Sequence, residues 1–392
     1  MQPVFIASAL RTPMGSFGGA LASLSAVDLG VAAVEAVLAA TKLPAEAVDE
    51  VVLGNVVSAN LGQAPARQVA LGAGLPQSVP CTTVNKVCSS GMKAIMFAAQ
   101  SIQLGLNEVV VAGGFESMSN IPYYVPKARF GYKFGSASLV DGLERDGLQD
   151  AYRRVAMGVS ADETAAELGI TREQQDAYAV RSYERAAERT ESKRFAAEIA
   201  PVSVPQRRGE AKVVDTDEEY ARVKFEKIPT LRPAFSKEGT VTAANASTIN
   251  DGAAALVVCS EAALKKYGLT PLARISGYGD AAREPMRFPL APTLAAPVAL
   301  ERAGKRQDEV DVYEVNEAFA VVPLAFGREL GIDADKINPN GGAVSLGHPL
   351  GMSGARIVGT LAHELQLTGQ SCGMAAICNG GGGASALVLE RV

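Results

Sequence analysis

Two hydrophobic patterns alternate along this chain of 392 residues. One is the short, almost wholly apolar run: DEVVLGNVV (49–57), NEVVVAGG (107–114), DVYEVN (311–316) and AAICNGG (375–381). The other is the Ala-rich stretch with apolar positions three and four apart: SGMKAIMFAAQSIQLG (90–105) and SGARIVGTLAHELQ (353–366). The first pattern predicts strands buried on both faces, and the second predicts helices beginning near Ser89 or Ser90 and sandwiched between layers. Strands alternating with helices predict an α/β fold.

The pattern also repeats. VVLGN (51–55) resembles VYEVN (312–316), SGMKAI (90–95) resembles SGARIV (353–358), and VVVAGG (109–114) resembles AAICNG (375–380). The three pairs fall in order at a nearly constant spacing of about 260 residues, which predicts a duplicated unit. A fourth pair, GAAALVV (252–258) and GASALVL (383–389), is separated by only about half that distance. Residues 119–249 therefore read as an insertion before the last strand of the first unit. The expected organisation is one half made of 1–118 plus 250–270, the insertion 119–249, and a second half 271–392. The insertion is rich in charged residues and holds one amphipathic stretch, TREQQDAYAVRSYERAAERT (171–190), whose apolar face is read as Ala177, Val180, Tyr183 and Ala187.

Composition narrows the function. A hydrophobic content of 48% and a charged content of 20% are ordinary for a globular chain. No apolar run is long enough to span a bilayer, so no membrane partner is expected. The start, MQPVFIASALRTP, lacks a basic region followed by a long apolar one, and a cytoplasmic location is expected. The net charge of −5 without a basic block argues against nucleic acid. Five cysteines without a CxxC pair, and two histidines, argue against zinc and for free thiols in a reducing compartment.

Four places can carry chemistry. Cys88 precedes the first Ala-rich helix, where unpaired N–H groups and the helix dipole favour thiolate; a packed small thiol reads equally well there. His348 lies between Gly347 and Pro349 in NGGAVSLGHPLGMSGAR (340–356), and is the natural acid or base of the chain. His363, mid-helix, reads as structural. Cys378 ends a strand and is followed by Asn379 and four glycines, a loop that brings backbone N–H groups close to a ligand. Asn316 in YEVNEAFA (313–320) reads either as a site residue or as a helix N-cap. All four lie at strand ends or helix starts of the repeated units, the edge where α/β sheets place their sites. Two cysteines and a histidine converging there would supply a nucleophile, its base and a second acid or base.

The motifs VNKVCSSGMKA, GGFESMSN, TAANASTINDGAAALV, VNEAFA, NGGAVSLGHPLGMSGARIVG and CNGGGGASA resemble those of thiolases along essentially the whole chain. The likeness is strongest to tetrameric acetoacetyl-CoA thiolases (acetyl-CoA C-acetyltransferases), and among them to the potassium-activated mitochondrial type. The resemblance implies the thiolase fold: two βαβαβαββ halves stacked as five layers, αβαβα, with an inserted loop domain. It implies reversible Claisen condensation of two acetyl-CoA to acetoacetyl-CoA and CoA, in ping-pong fashion through an acyl-cysteine. Cys88 would be the nucleophile, His348 its base, and Cys378 the base at the Cα of the second acetyl-CoA. His348 and a water on Asn316 would stabilise the enolate, and the N–H groups of Cys88 and Gly380 the tetrahedral intermediate.

The same resemblance assigns CoA to Tyr183, Arg222, Val223, Lys224, Lys227 and Ser247. The substrate pocket would comprise Ala156, Met157, Phe235, Phe288, Pro289, Ala318 and Phe319. Potassium would be held by Tyr183, Ala243, Ala244, Ala246 and Val344, with no cofactor covalently bound and a homotetramer as the assembly. Two departures stand out: Val-Lys where the family has Val-Asp after the arginine, and Ala156 where short-chain members have histidine. Phe288-Pro289 matches the subtype that also takes 2-methylacetoacetyl-CoA. The rival readings are a broader 3-ketoacyl-CoA thiolase and a non-catalytic acyl-CoA-binding relative.

Overall fold

The computed structural model describes residues 2–392. Its first half contains strand β1 (Val4–Arg11), helix α1 (Ala26–Thr41), strands β2 (Glu50–Gly54) and β3 (Cys81–Val84), helix α2 (Ser90–Gln103) and strand β4 (Val109–Ser117). Helices α3 (Met157–Leu168) and α4 (Arg172–Glu191) follow, and strand β5 (Asn250–Ser260) returns to the first half. The second half contains β6 (Ala273–Ala282), α5 (Pro292–Ala303), β7 (Val312–Val315), α6 (Leu350–Thr368), β8 (Cys372–Asn379) and β9 (Gly383–Glu390). Local chemistry sets several of these limits. Ser25 caps α1 in a reciprocal box with Asp28, and Thr171 caps α4 in the same way with Gln174.

The strand order is β7-β8-β9-β6-β1-β5-β4-β2-β3. In the first half β2 runs parallel to β3 and β4, while β4–β5 and β5–β1 are antiparallel. In the second half β7–β8 is parallel, and β8–β9 and β9–β6 are antiparallel. The repeated segments thus occupy matching places: β2 with β7, β4 with β8, and β5 with β9. Strands β4 and β5 are buried along their whole length, as their unbroken apolar runs require.

Helix α1 covers β1, β4 and β5 on one outer face, and α5 covers β6 and β9 on the other. Helices α2 and α6 pack on each other and on strands of both halves, filling the middle layer. This is the five-layer αβαβα order. The two sheets are also joined: β1 and β6 pair antiparallel through Val4–Ile275, Phe5–Arg274 and Ile6–Ala273. Each strand would otherwise leave an open edge of backbone donors and acceptors.

Two expectations change. The buried face of α4 is Gln175, Tyr178, Ala179, Ser182, Tyr183, Ala186 and Arg189, while Ala177 is exposed. Polar positions go inward because each finds a partner: Gln175 donates to Thr240, Ser182 to Glu317 and Arg189 to Glu364. The helix starts of the two halves also differ. Helix α2 begins at Ser90, but α6 begins at Leu350, before the matching Ser353. Residues around Cys88 form a turn where the second half is already helical.

Helices α2 and α6 cross where both lack side chains. A Cβ on Gly91 would meet Ala355 N and Gly351 O at 2.8 Å, and one on Gly354 would meet Met92 N at 2.5 Å. A Cβ on Gly359 of the same helix would meet only Ala9 Cβ, at 3.4 Å. Gly91→Ala should therefore destabilise by about 1–3 kcal/mol or more through forced separation of the helices. Gly359→Ala should be neutral or stabilising by up to about 1 kcal/mol. Urea midpoints of the two variants check this; equal effects would count against the crossing as the tight point.

Candidate functional site

Cys88 stands on a strained turn between β3 and α2. Val87 before it has φ 49°, a left-handed conformation that is costly for a β-branched residue. The turn is held from both sides. Asn85 Oδ1 accepts the Val87 N–H at 2.9 Å, while Ser90 Oγ accepts the Lys86 N–H at 2.8 Å and donates to Val87 O at 2.6 Å. Cys88 keeps partial exposure. The N–H groups of Gly380 and of Cys88 itself face its sulfur and favour thiolate, but burial outweighs them and pushes the thiol up to about 12. The resting group is a thiol.

Cys378 lies near the end of β8, fully buried. Burial raises its pKa well above the ordinary thiol value, and the closeness of Cys88 adds to the shift, since two thiolates there would repel. The hairpin from β8 to β9 then turns through Gly381 and Gly382, both left-handed. That turn presents Gly380 to the other cysteine.

His348 is buried at the start of α6, and Gly347 before it has φ 110° with no room for a Cβ beside Asn250. Asn250 Oδ1 in turn accepts the His348 N–H at 3.1 Å. The ring's tautomer follows from its partners. Ser353 Oγ donates to Pro349 O at 2.8 Å, so toward His348 Nδ1, 2.6 Å away, it can only accept. Nδ1 carries the proton and Nε2 the lone pair, with Asn316 Nδ2 at 3.5 Å from it. Burial first, and the charge of Arg356 second, lower the imidazole pKa to about 3, so the ring is a neutral base at physiological pH. Asn316 does not cap a helix; the next one starts at Val321 after Ala320. Its Oδ1 is buried without a protein partner, the condition for holding a water or a substrate atom.

A cavity of about 450 Å³ opens beside His348. Ala156, Met157, Phe235, Ser247 and Phe319 line it, with Met118, Leu143, Leu148, Ile249 and Leu350 completing an apolar wall. Phe288 is buried behind Phe319, ring centroids 6.5 Å apart. Pro289 and Ala318 are buried without lining the cavity; Ala318 O accepts the Ser247 N–H at 3.0 Å and its hydroxyl at 2.9 Å. Tyr183 is buried with Ala179 and Val344, Val223 packs on that group, and Arg222, Lys224 and Lys227 are exposed cations on the same segment. Ala243, Ala244 and Ala246 lie in the turn before Ser247.

Residues that the motifs did not single out hold this arrangement. Glu116 accepts from the N–H groups of Val56 (2.9 Å), Val57 (3.1 Å) and Gly351 (2.9 Å), tying β4 to the start of α6. Glu317 accepts from Tyr178, Ser182, Asn338 and Val344 at 2.7 to 3.0 Å. A buried carboxylate surrounded by donors is invisible in sequence, because its partners come from distant segments.

Comparison with known proteins is decisive about family. Thiolase N-terminal domain matches residues 4–262, and thiolase C-terminal domain matches residues 269–391. The chain belongs to the thiolase family. An acetyl-CoA acetyltransferase of Schizosaccharomyces pombe is 56% identical over 99% of both chains. Acetyl-CoA acetyltransferase 2 of Arabidopsis thaliana is 57% identical over 99% of this chain and 97% of its own. A thiolase of Ascaris suum, solved in complex with coenzyme A, superposes with a TM-score of 0.94 at 47% identity, covering 100% of both chains. The chain is thus an acyltransferase of the thiolase fold. Among its described residues no helix is long and apolar enough to cross a membrane, and no His, Cys, Asp and Glu group is arranged to hold a metal.

The buried imidazole has a stability signature. Its pKa is about 3 folded against 6.5 unfolded, so the unfolded chain binds the extra proton between those values. The stability contributed above pH 6.5 is lost as pH falls toward 3. Denaturation midpoints should fall more steeply over that range in the native protein than in His348→Gln. Parallel curves would show that His348 does not titrate in this way.

Proposed function

We propose that this thiolase is an acetyl-CoA C-acetyltransferase, condensing two acetyl-CoA into acetoacetyl-CoA and CoA, and running the reverse thiolysis. The observation that carries the reading is the facing of Cys88, Gly380 and Cys378 across one turn, beside a His348 whose Nε2 lone pair is free. The relatives named acetyl-CoA acetyltransferase support the same substrate.

In this reading the Cys88 sulfur attacks the thioester carbonyl while His348 Nε2 takes the thiol proton. The N–H groups of Cys88 and Gly380 hold the tetrahedral oxyanion. The C–S bond to CoA breaks, leaving acetyl on Cys88. The departing CoA thiolate takes the proton of Cys378, whose raised pKa keeps it protonated at rest. Cys378, now thiolate, removes a Cα proton from the second acetyl-CoA. The imidazolium of His348, with a water on the unpaired Asn316 Oδ1, holds the enolate oxygen. The enolate carbon attacks the acetyl-cysteine, and Cys88 leaves and recovers its proton from His348. Both cysteines and the histidine return to their starting states.

CoA would lie along Tyr183, Val223 and Ser247, with Arg222, Lys224 and Lys227 supplying charge for its phosphates. Potassium fits the segment before Ser247. The carbonyls of Ala243, Ala244 and Ala246 accept no hydrogen bond among the described residues, and Tyr183 and Val344 pack together. An ion held by these five would order the segment bearing Ser247. A homotetramer suits the insertion loop, where Phe130 is 90% and Phe134 104% exposed. Five free thiols suit a reducing compartment, in keeping with a cytoplasmic location.

Mixing with acetyl-CoA should add about 42 Da to Cys88, acetyl replacing hydrogen. Cys88→Ala should show no adduct, and Cys378→Ser should acetylate but release little acetoacetyl-CoA. A chain that never acetylates is the non-catalytic relative. Chain length is decided at Ala156, which leaves an apolar cavity wall beside Met157 and Phe319. Turnover of 2-methylacetoacetyl- and 3-ketohexanoyl-CoA should stay within about tenfold of acetoacetyl-CoA, and Ala156→His should widen the gap. Strict preference for the unbranched four-carbon substrate in the native enzyme would defeat this.

A further inference from the structure

The two serines after Cys88 do different work. Ser90 secures the strained turn, as described. Ser89 occupies the N-cap position of α2, where a serine ordinarily accepts a helix N–H, yet its side chain makes no capping bond. Its hydroxyl instead donates across the site to Asn379 Oδ1 at 3.0 Å, with Ile377 O further away at 3.4 Å. The Asn379 amide then donates from Nδ2 to Gly380 O at 2.8 Å. Ser89 is fully buried and Asn379 nearly so. The space for the Asn379 side chain exists because Gly383 has no Cβ; one there would meet Asn379 Nδ2 at 2.6 Å.

Gly380 sits in a loop that starts with two left-handed glycines after it, so its peptide has little intrinsic orientation. The bond from Asn379 Nδ2 to Gly380 O closes a ring that contains the Asn379–Gly380 peptide, the one carrying the Gly380 N–H, and Ser89 fixes the side chain that closes it. The chain of bonds thus starts on the residue next to Cys88 and ends on the residue whose N–H faces the Cys88 sulfur. We propose that Ser89 and Asn379 are positioning residues that hold the Asn379–Gly380 peptide so that the Gly380 N–H points at the sulfur and at the oxyanion forming beside it. Neither touches substrate. The inference rests on the acyl-transfer reading above and adds to it the residues that set the oxyanion donor.

The test separates acyl transfer from α-carbon chemistry. Ser89→Ala, Asn379→Ala and the double variant are compared in two assays: single-turnover acetylation of Cys88 by acetyl-CoA, and deuterium exchange at the α-carbon of acetyl-CoA on pre-acetylated enzyme. Each single variant should slow acetylation roughly tenfold, less than the hundredfold or more for deleting an oxyanion donor outright. The acetyl-CoA KM should be unchanged, the double variant no slower than the worse single one, and α-carbon exchange close to native. Equal loss in both assays would mark a merely structural role, and unchanged acetylation or fully additive losses would also overturn the proposal. Alkylation of Cys88 by iodoacetamide at fixed alkaline pH needs no CoA. It should slow in the same variants as the thiolate loses a donor, and no change overturns the clamp. A native protein that alkylates normally but never acetylates overturns the acyl-transfer reading instead. Should Asn379→Ala fail to fold, Ser89→Ala carries both assays.

Discussion

The site depends on one steric constraint: two helices must cross with their backbones nearly touching. Gly91 near the start of α2 and Gly354 near the start of α6 supply the room, each facing backbone of the other helix closer than any Cβ allows. The crossing lies at the N-terminal ends, so the same contact that closes the central layer brings Cys88 against Leu350, at the start of the helix that follows His348. Cys88 and His348 come from separate halves of a duplicated unit. Only a close, rigid crossing makes their separation reproducible.

Around that crossing the interior is polar where it must be. Glu116 and Glu317 each sit in a nest of donors, and neither belongs to the reacting set. They tie the turns bearing the reacting groups to the strands and helices behind them. Burial raises Glu116 to about 7, a measure of how much the donors must offset. The candidate reacting groups are left in the opposite condition. Cys88, Cys378 and His348 all have pKa values displaced toward their neutral forms by burial. A neutral triad with a defined histidine tautomer can pass protons without first losing charge to solvent.

Much of this was legible before any coordinates. The unbroken apolar runs at 109–114 and 252–258 are strands buried on both faces, and they occupy the places that their counterparts hold in the second half. Cys88, His348, Cys378 and Asn316 stood out because each breaks an apolar pattern at a strand end or helix start. Ala177 was assigned to the wrong face of α4, because apolar spacing cannot register that Gln175, Ser182 and Arg189 have buried partners. The like segments SGMKAI and SGARIV do not start their helices alike, because Val87 is held left-handed by Asn85 and Ser90. Local propensity alone would not choose that conformation for a valine.

The sequence by itself determined the α/β class, the duplication, the family and the candidate residue types, since periodicity and short motifs are properties of neighbours along the chain. Tertiary structure alone decided which ring nitrogen of His348 is free and that the Cys88 and Cys378 thiols stay neutral. Those depend on Ser353 and on burial. Hydrogen-bond direction and desolvation are set by groups brought together from distant parts of the chain, and spacing along the chain carries no record of them.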